Sequence, residues 1–90
     1  MLQTVSLHIT GKVQGVYYRQ SARTKAHSLG ITGWVQNLPD QSVQILATGH
    51  TGALNELMEW CKKGPPAAMV AQVTVTEQAL EIFEEFIIRR

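Results

Sequence analysis

The sequence predicts an α+β fold in which strands and helices follow one another in the order β-α-β-β-α-β. Four short segments of the 90-residue chain alternate apolar and polar residues or are rich in β-branched residues, which is typical of strands. Two longer segments carry apolar residues at the spacing of an amphipathic helix. Turn-forming residues separate these segments. A chain of this length is expected to form one domain, residues 1–90.

The first half of the chain is predicted to form a strand, a helix and a hairpin. Val5, Leu7 and Ile9 alternate with polar residues and define the first strand. Residues 31–38 and 43–48 flank a Pro-Asp-Gln turn and predict a hairpin of the second and third strands. Before the hairpin, apolar residues at helical spacing and a following glycine cap predict the first helix: Tyr18, Ala22, Ala26, Leu29 and Gly30.

The second half is predicted to form one helix and one or two strands. Thr51 is expected to cap the second helix, and the Gly-Pro-Pro run at residues 64–66 ends it. The apolar stripe of this helix is Leu54, Leu57, Met58 and Cys61. Residues 70–76 alternate weakly and predict the fourth strand. Between residues 79 and 88 the apolar spacing fits a helix as well as a strand, so periodicity leaves this segment open.

This order of elements describes a ferredoxin-like α/β sandwich, an antiparallel sheet with both helices on one face. A crossover through the first helix makes the first two strands parallel, so the second strand ends at the edge where that helix begins. Asn37 lies at this end of the second strand and shares its side of the strand with Val35. We therefore expect the Asn37 side chain near the loop that precedes the first helix.

Charge and cysteine content exclude several classes of function. A net charge of +1 does not suit a nucleic-acid binder, which needs a wide basic face. Cys61 is the only cysteine and is interpreted as a buried apolar residue, so no disulfide framework is expected. The N-terminus has no basic region or long apolar run, which predicts a cytoplasmic protein without a membrane span. The three histidines lack metal-ligand spacing and are interpreted as surface residues: His8, His27 and His50.

The segment from Gly11 to Arg19 has the composition of an anion-binding loop. Gly11 and Gly15 allow tight backbone turns that bring N–H groups close to a ligand. A helix that begins just after the loop adds the free N–H groups of its first turn and the positive end of its dipole. Arg19 would lie in that first turn, and its guanidinium fork suits a phosphoryl group. No acidic residue precedes Asp40, so this part of the chain is locally electropositive.

These motifs resemble those of the acylphosphatase family. The resemblance rests on Gly-x-Val-Gln-Gly-Val-x-x-Arg at residues 11–19 and Gly-Trp-Val-x-Asn at residues 33–37. It continues through shorter runs that cover nearly the whole chain, at residues 37–40, 59–61, 63–66 and 86–89. Two positions depart from the family pattern. Gln41 stands where a glycine commonly follows the aspartate, and Ala-Thr-Gly-His at residues 47–50 replaces a more acidic stretch.

The resemblance implies a small stand-alone enzyme that hydrolyses the carboxyl–phosphate bond of acyl phosphates to a carboxylate and inorganic phosphate. It implies that Arg19 binds the phosphate and that Asn37 places the attacking water. The backbone of the loop is expected to complete the phosphate site: Gln14, Gly15, Val16, Tyr17 and Tyr18. The resemblance also favours a loop and a short fifth strand ending near Ile88. We expect a monomer that needs no metal or other cofactor and binds neither nucleic acid nor membrane.

The sequence is also compatible with two other classes of function. A binding module that senses an anion or a partner protein could use the same loop without turnover, because folds of this kind serve many functions. RNA binding through the open sheet face is a weaker hypothesis, since no Lys/Arg-Gly-Phe/Tyr-Gly/Ala-Phe run is present. Trp34 and Trp60 are interpreted as packing residues, and Arg23 as a solvated surface charge. Hydrolysis of a simple acyl phosphate would distinguish the enzyme from the module.

Overall fold

Five strands and two helices follow one another in the computed structural model, which describes residues 1–89. In chain order they are β1 (Leu2–Lys12), α1 (Tyr18–Ser28), β2 (Thr32–Asn37), β3 (Val43–His50), α2 (Thr51–Lys63), β4 (Met69–Gln78) and β5 (Phe86–Ile88). The predicted β-α-β-β-α-β order is confirmed, and residues 79–85 form a connection before the short fifth strand.

The five strands form one sheet in the order β4-β1-β3-β2-β5. β1 pairs antiparallel with both β3 and β4, and β2 pairs antiparallel with β3. β5 instead pairs parallel with β2, so the sheet is mixed at one edge and antiparallel elsewhere. β1 and β2 are parallel but not adjacent, because β3 lies between them. Their carboxyl ends therefore lie at the same edge of the sheet, as the crossover rule predicts.

Both helices cover the same face of the sheet. Val5, Leu7 and Ile9 of β1 point toward this face and are buried, as the alternation predicts. The helices contribute their buried side chains to the same cluster: Tyr18, Ala22, Ala26, Leu54, Leu57 and Cys61. The buried apolar side chains thus form one cluster between the helices and the sheet. None of the helices within residues 1–89 is long and apolar enough to cross a membrane.

One helix boundary differs from the prediction. The N-cap of α2 is His50, in extended conformation, and Thr51 is already the first helical residue. No side chain bonds to the first turn of this helix, so the expected Thr51 cap is wrong. The reason is that β3 runs without a loop into α2, which moves the change of backbone conformation one residue earlier. At the other helix, Gly30 adopts φ 70° just after the C-cap Leu29, as expected for a glycine in that position.

The hairpin between β2 and β3 turns through three residues. The Gln41 N–H donates to the Leu38 carbonyl at 3.1 Å, and the Leu38 N–H donates to the Ser42 carbonyl at 2.9 Å. Gln41 has φ 73°, the left-handed conformation that closes a three-residue hairpin loop. This geometry explains why a glycine is common at the position. The Asp40 carboxylate accepts hydrogen bonds from the Ser42 hydroxyl and backbone N–H, which lower the pKa of Asp40 below its ordinary value.

The connection from β4 to β5 crosses the sheet at the end where the first residues of β1 and β2 lie. Thr4 and Thr48 face each other across β1 and β3 and are buried. The Thr48 hydroxyl donates to the Glu81 carbonyl at 2.7 Å, and Thr4 Oγ1 accepts from the Glu81 N–H at 2.9 Å. The two hydroxyl oxygens lie 2.6 Å apart. Two threonines therefore hold the middle of the crossing segment against the sheet.

β5 is attached to the outer side of β2 by backbone hydrogen bonds at both ends. The Gly33 N–H donates to the Glu85 carbonyl at 3.0 Å, and the Arg89 N–H donates to the Val35 carbonyl at 2.8 Å. The Arg89 guanidinium also lies 4.4 Å from the centre of the Trp34 ring, which is the distance of a cation–π contact. β5 thus extends to the edge of the sheet where β2 ends.

Candidate active site

The loop between β1 and α1 has a backbone suited to anion binding. Gly15 has φ 74° and Tyr17 has φ 64°, so two left-handed residues alternate with their neighbours. Alternation of this kind turns successive N–H groups toward a common concave side. Within residues 1–89, the backbone N–H groups of residues 15–20 have no hydrogen-bond acceptor. Six N–H groups in a row are therefore without an acceptor in this part of the chain.

Arg19 lies in the first turn of α1, immediately after this loop. Helical side chains lean toward the N-terminus of their helix, so the guanidinium can reach back over the loop. Within the described residues, Arg19 has no carboxylate at ion-pair distance, and the first turn of α1 has no acidic residue. The charge of Arg19 and the positive end of the helix dipole consequently act on the same space.

Asn37 reaches this space from the last position of β2. It pairs with Val43, which is fully buried on the helix-covered face, so the Asn37 side chain points toward that face. Asn37 Oδ1 is buried and is the one buried side-chain N or O atom of residues 1–89 that has no hydrogen-bond partner. A buried acceptor without a partner is costly, and a bound water would satisfy it.

A cavity of about 410 Å³ joins the loop, the start of α1 and the end of β2. Arg19 and Asn37 both line it, as do three of the five predicted loop residues, Gly15, Tyr17 and Tyr18. Three further lining residues were not identified from the sequence: Val13, Gln20 and Ile88. Ile88 belongs to β5 and pairs with Val35 of β2, a long-range contact that apolar periodicity does not indicate. The structure thus brings the two predicted polar side chains into one cavity.

Gln14 and Val16 do not line the cavity. Val16 is buried in the core. The Gln14 side chain points to the hairpin, where its Nε2 donates to the carbonyls of Leu38 and Ser42 at 2.8 Å each. These side-chain positions leave only the backbone N–H groups of Gln14 and Val16 for the role expected from the sequence. Gln14 instead fastens the loop to the residues that follow Asn37.

Tyr18 anchors the first turn of α1 against α2. Its ring is buried and lies 5.3 Å from the Trp60 ring, and its hydroxyl donates to the Cys61 carbonyl at 2.7 Å. Burial raises the pKa of the Tyr18 hydroxyl above its ordinary value, so this group stays neutral. Burial also raises the pKa of the Cys61 thiol to about 12, which agrees with a packing residue and not with a nucleophile.

His8, Ser42 and Asp40 form a hydrogen-bonded group on the opposite face of the sheet. His8 Nε2 lies 2.8 Å from Ser42 Oγ, and Asp40 Oδ2 lies 3.8 Å from the same His8 nitrogen. A catalytic Ser-His-Asp triad requires the carboxylate on the other ring nitrogen, so these three residues are not a triad. His8 is half-exposed. Within residues 1–89, no three His, Cys, Asp or Glu side chains lie together as a metal site would require.

Fold and cavity define this chain as a small α+β protein with a cavity lined by Arg19 and Asn37, and comparison with known proteins gives its family. The family model described as acylphosphatase matches residues 5–88. The acylphosphatase of Acaryochloris marina is 54% identical over 82 residues, which cover 91% of this chain and 88% of that protein. The chain therefore belongs to the acylphosphatase family, whose function is the hydrolysis of acyl phosphates.

Solved structures agree with this assignment. The acylphosphatase from Coxiella burnetii superimposes with a TM-score of 0.95 at 39% identity, covering 98% of this chain and 93% of that chain. The acylphosphatase from Bacillus subtilis gives a TM-score of 0.95 at 36% identity over the full length of both chains. The ferredoxin-like fold and the acylphosphatase activity predicted from the sequence are confirmed.

Proposed function

We propose that Arg19 and the free N–H groups of residues 15–20 bind the phosphoryl group of the substrate, and that Asn37 orients the attacking water. The observation that carries this proposal is the shared cavity. Arg19, the loop and Asn37 line this cavity from three different parts of the fold. A dianion would satisfy the donors, and a water would satisfy the amide oxygen.

The reaction is a direct in-line displacement at phosphorus. The water oxygen, held by a hydrogen bond to Asn37 Oδ1, forms a bond to phosphorus while the bond from phosphorus to the acyl oxygen breaks. The leaving group is a carboxylate with a pKa of about 4 to 5, so no general acid is needed to protonate it. Arg19 and the loop N–H groups stabilise the charge on the transferred phosphoryl group. Inorganic phosphate and the carboxylic acid anion are the products.

This division of roles predicts different effects for substitutions at the two side chains. Asn37→Ala should lower kcat by about 10²-fold or more, because the water loses its orientation. Inorganic phosphate should inhibit this variant competitively with an affinity close to that of the unchanged protein, since an amide adds little attraction for a dianion. Steady-state kinetics with benzoyl phosphate, with inorganic phosphate as the inhibitor, measure both quantities.

Arg19→Lys is the matched variant for phosphate binding. Lysine keeps the charge but cannot reproduce the planar pair of donors, so both phosphate affinity and kcat/KM should fall. A folded Arg19→Lys variant with unchanged kcat/KM would contradict the role of Arg19. If Asn37→Ala lost phosphate affinity but kept its kcat, then Asn37 would be a binding residue.

The same proposal describes a cytoplasmic monomer that works without a metal or a catalytic histidine. The carboxylate leaving group removes the need for an imidazole acid. Activity should therefore persist during prolonged chelation and when His8, His27 and His50 are replaced one at a time.

A further inference from the structure

Tyr17 occupies a position in the loop that is unfavourable for a tyrosine. Its backbone is left-handed, with φ 64° and ψ 25°, a conformation that glycine and asparagine adopt more easily than an aromatic residue. Tyr17 is 77% exposed, so it gains little from burial in the folded protein. Strained residues cluster at functional sites, although they also occur in tight turns such as the one at Gln41. Tyr17 also lines the cavity that contains Arg19 and Asn37.

The cavity has little other apolar surface available to a ligand. Val13 and Tyr18 line it, but each is only 1% exposed because both pack into the core. Ile88 of β5 is partly buried and packs against the edge of that core. The remaining lining is polar or lacks a side chain. The exposed Tyr17 ring, together with the partly buried Ile88, is therefore the apolar surface at the opening.

The in-line reaction indicates which part of the substrate meets this surface. The phosphoryl group must lie deep enough to contact the loop donors and the water on Asn37. The acyl group departs on the side opposite to that water, and it must extend through the opening to be released. The acyl group is consequently the part of the substrate beside Tyr17.

We infer that Tyr17 selects the acyl group, and that the ring, with support from Ile88, favours acyl phosphates whose acyl group is aromatic over those with a small acyl group such as acetyl. Aromatic rings gain from contact with one another in addition to the apolar area that they bury. This inference rests on the proposed function. It assigns the Tyr17 side chain a role in substrate choice, which is separate from the phosphate binding proposed for the backbone N–H of this residue.

The test compares the ratio of kcat/KM for benzoyl phosphate to kcat/KM for acetyl phosphate in three proteins. In Tyr17→Asn, which tolerates the left-handed backbone, the ratio should fall by about 3- to 10-fold, the range of one aromatic contact. In Tyr17→Phe the ring is kept and the ratio should be that of the unchanged protein. Ile88→Ala should lower the ratio in the same direction.

A ratio that is unchanged in Tyr17→Asn would overturn the inference, as would an equal fall in Tyr17→Phe. A second measurement separates this outcome from failure of the proposed function. Calorimetry gives the affinities of phenyl phosphate and inorganic phosphate without any turnover. Tyr17→Asn should lower the affinity for phenyl phosphate by about 3- to 10-fold relative to the affinity for inorganic phosphate. If the unchanged protein hydrolysed neither acyl phosphate, the proposed function would fail, and this binding ratio would still decide whether Tyr17 contacts the aromatic group.

Discussion

The side chain of Gln14 connects the two halves of the site. It donates to the carbonyls of Leu38 and Ser42, and so fastens the anion loop to the residues that follow Asn37. Gln14→Ala should lower kcat by at least about 10-fold, because small displacements between a bound water and its target cost large factors in rate. Gln36→Ala is the control: Gln36 lies in β2 beside Asn37, and its amide donates to the side chain of Gln44. This substitution should not lower kcat.

The effect of Gln14→Ala should depend on Asn37. If Gln14 acts by placing Asn37, the loss should be absent when Asn37 is already alanine, so the two substitutions should be strongly non-additive. Steady-state kinetics of both single variants and the double variant measure this coupling. Full additivity of the two losses would show that Gln14 acts on the loop alone.

For single residues, the sequence identifies Arg19 and Asn37 better than the residues that hold them in position. Arg19 and Asn37 belong to motifs that can be read within a few residues, and both line the cavity. The side chain of Gln14 bonds to backbone carbonyls 24 and 28 residues away, so its role depends on how the hairpin folds back. The left-handed backbone of Tyr17 is equally invisible in the sequence, because a tyrosine does not signal positive φ.

Among the elements, the hairpin turn can be stabilised by one substitution. Gln41 has φ 73°, which costs a residue with a side chain about 1–2 kcal/mol, whereas glycine loses only part of this in chain entropy. Gln41→Gly should therefore raise the free energy of unfolding by about 0.5–1 kcal/mol. Gln41→Ala keeps the strain and serves as the control. Urea denaturation of the three proteins gives the values, and a loss of stability in Gln41→Gly would contradict this account of the turn.

The elements that alternate or carry a clear apolar stripe could be predicted, and the short edge strand could not. β1 and α2 have regular periods because each buries one face. β5 has only three residues and follows a connection whose apolar residues fit helical spacing. Only its pairing with β2 makes it a strand, and this pairing depends on tertiary structure. The family resemblance, and not the period, predicted it.

For the whole molecule, the crossing of the sheet by residues 79–85 depends on Thr4 and Thr48. Thr48→Val keeps the shape of the side chain but removes the donor to the Glu81 carbonyl, so the free energy of unfolding should fall by about 1–2 kcal/mol. Thr76→Val, on the exposed part of the same sheet face, should cost much less. Thermal unfolding followed by circular dichroism compares them.

Thr48→Val also tests whether a change at one end of the sheet affects catalysis at the other end. Thr4 and Thr48 lie where β1 and β2 begin, whereas the cavity lies where these strands end. At temperatures where Thr48→Val is fully folded, its kcat should equal that of the unchanged protein. A lower kcat there would show that the crossing segment also shapes the site.

The position of β3 between β1 and β2 fixes the width of the site. The loop follows β1 and Asn37 ends β2, so two inter-strand spacings, about 10 Å in total, separate their strands. Backbone hydrogen bonds set this distance, and they are the same for any side chains that the strand carries. The backbone of β3 therefore sets the distance between the anion loop and Asn37. The side chains of β3 that point away from the core can therefore change while the gap for a phosphoryl group and its water stays constant.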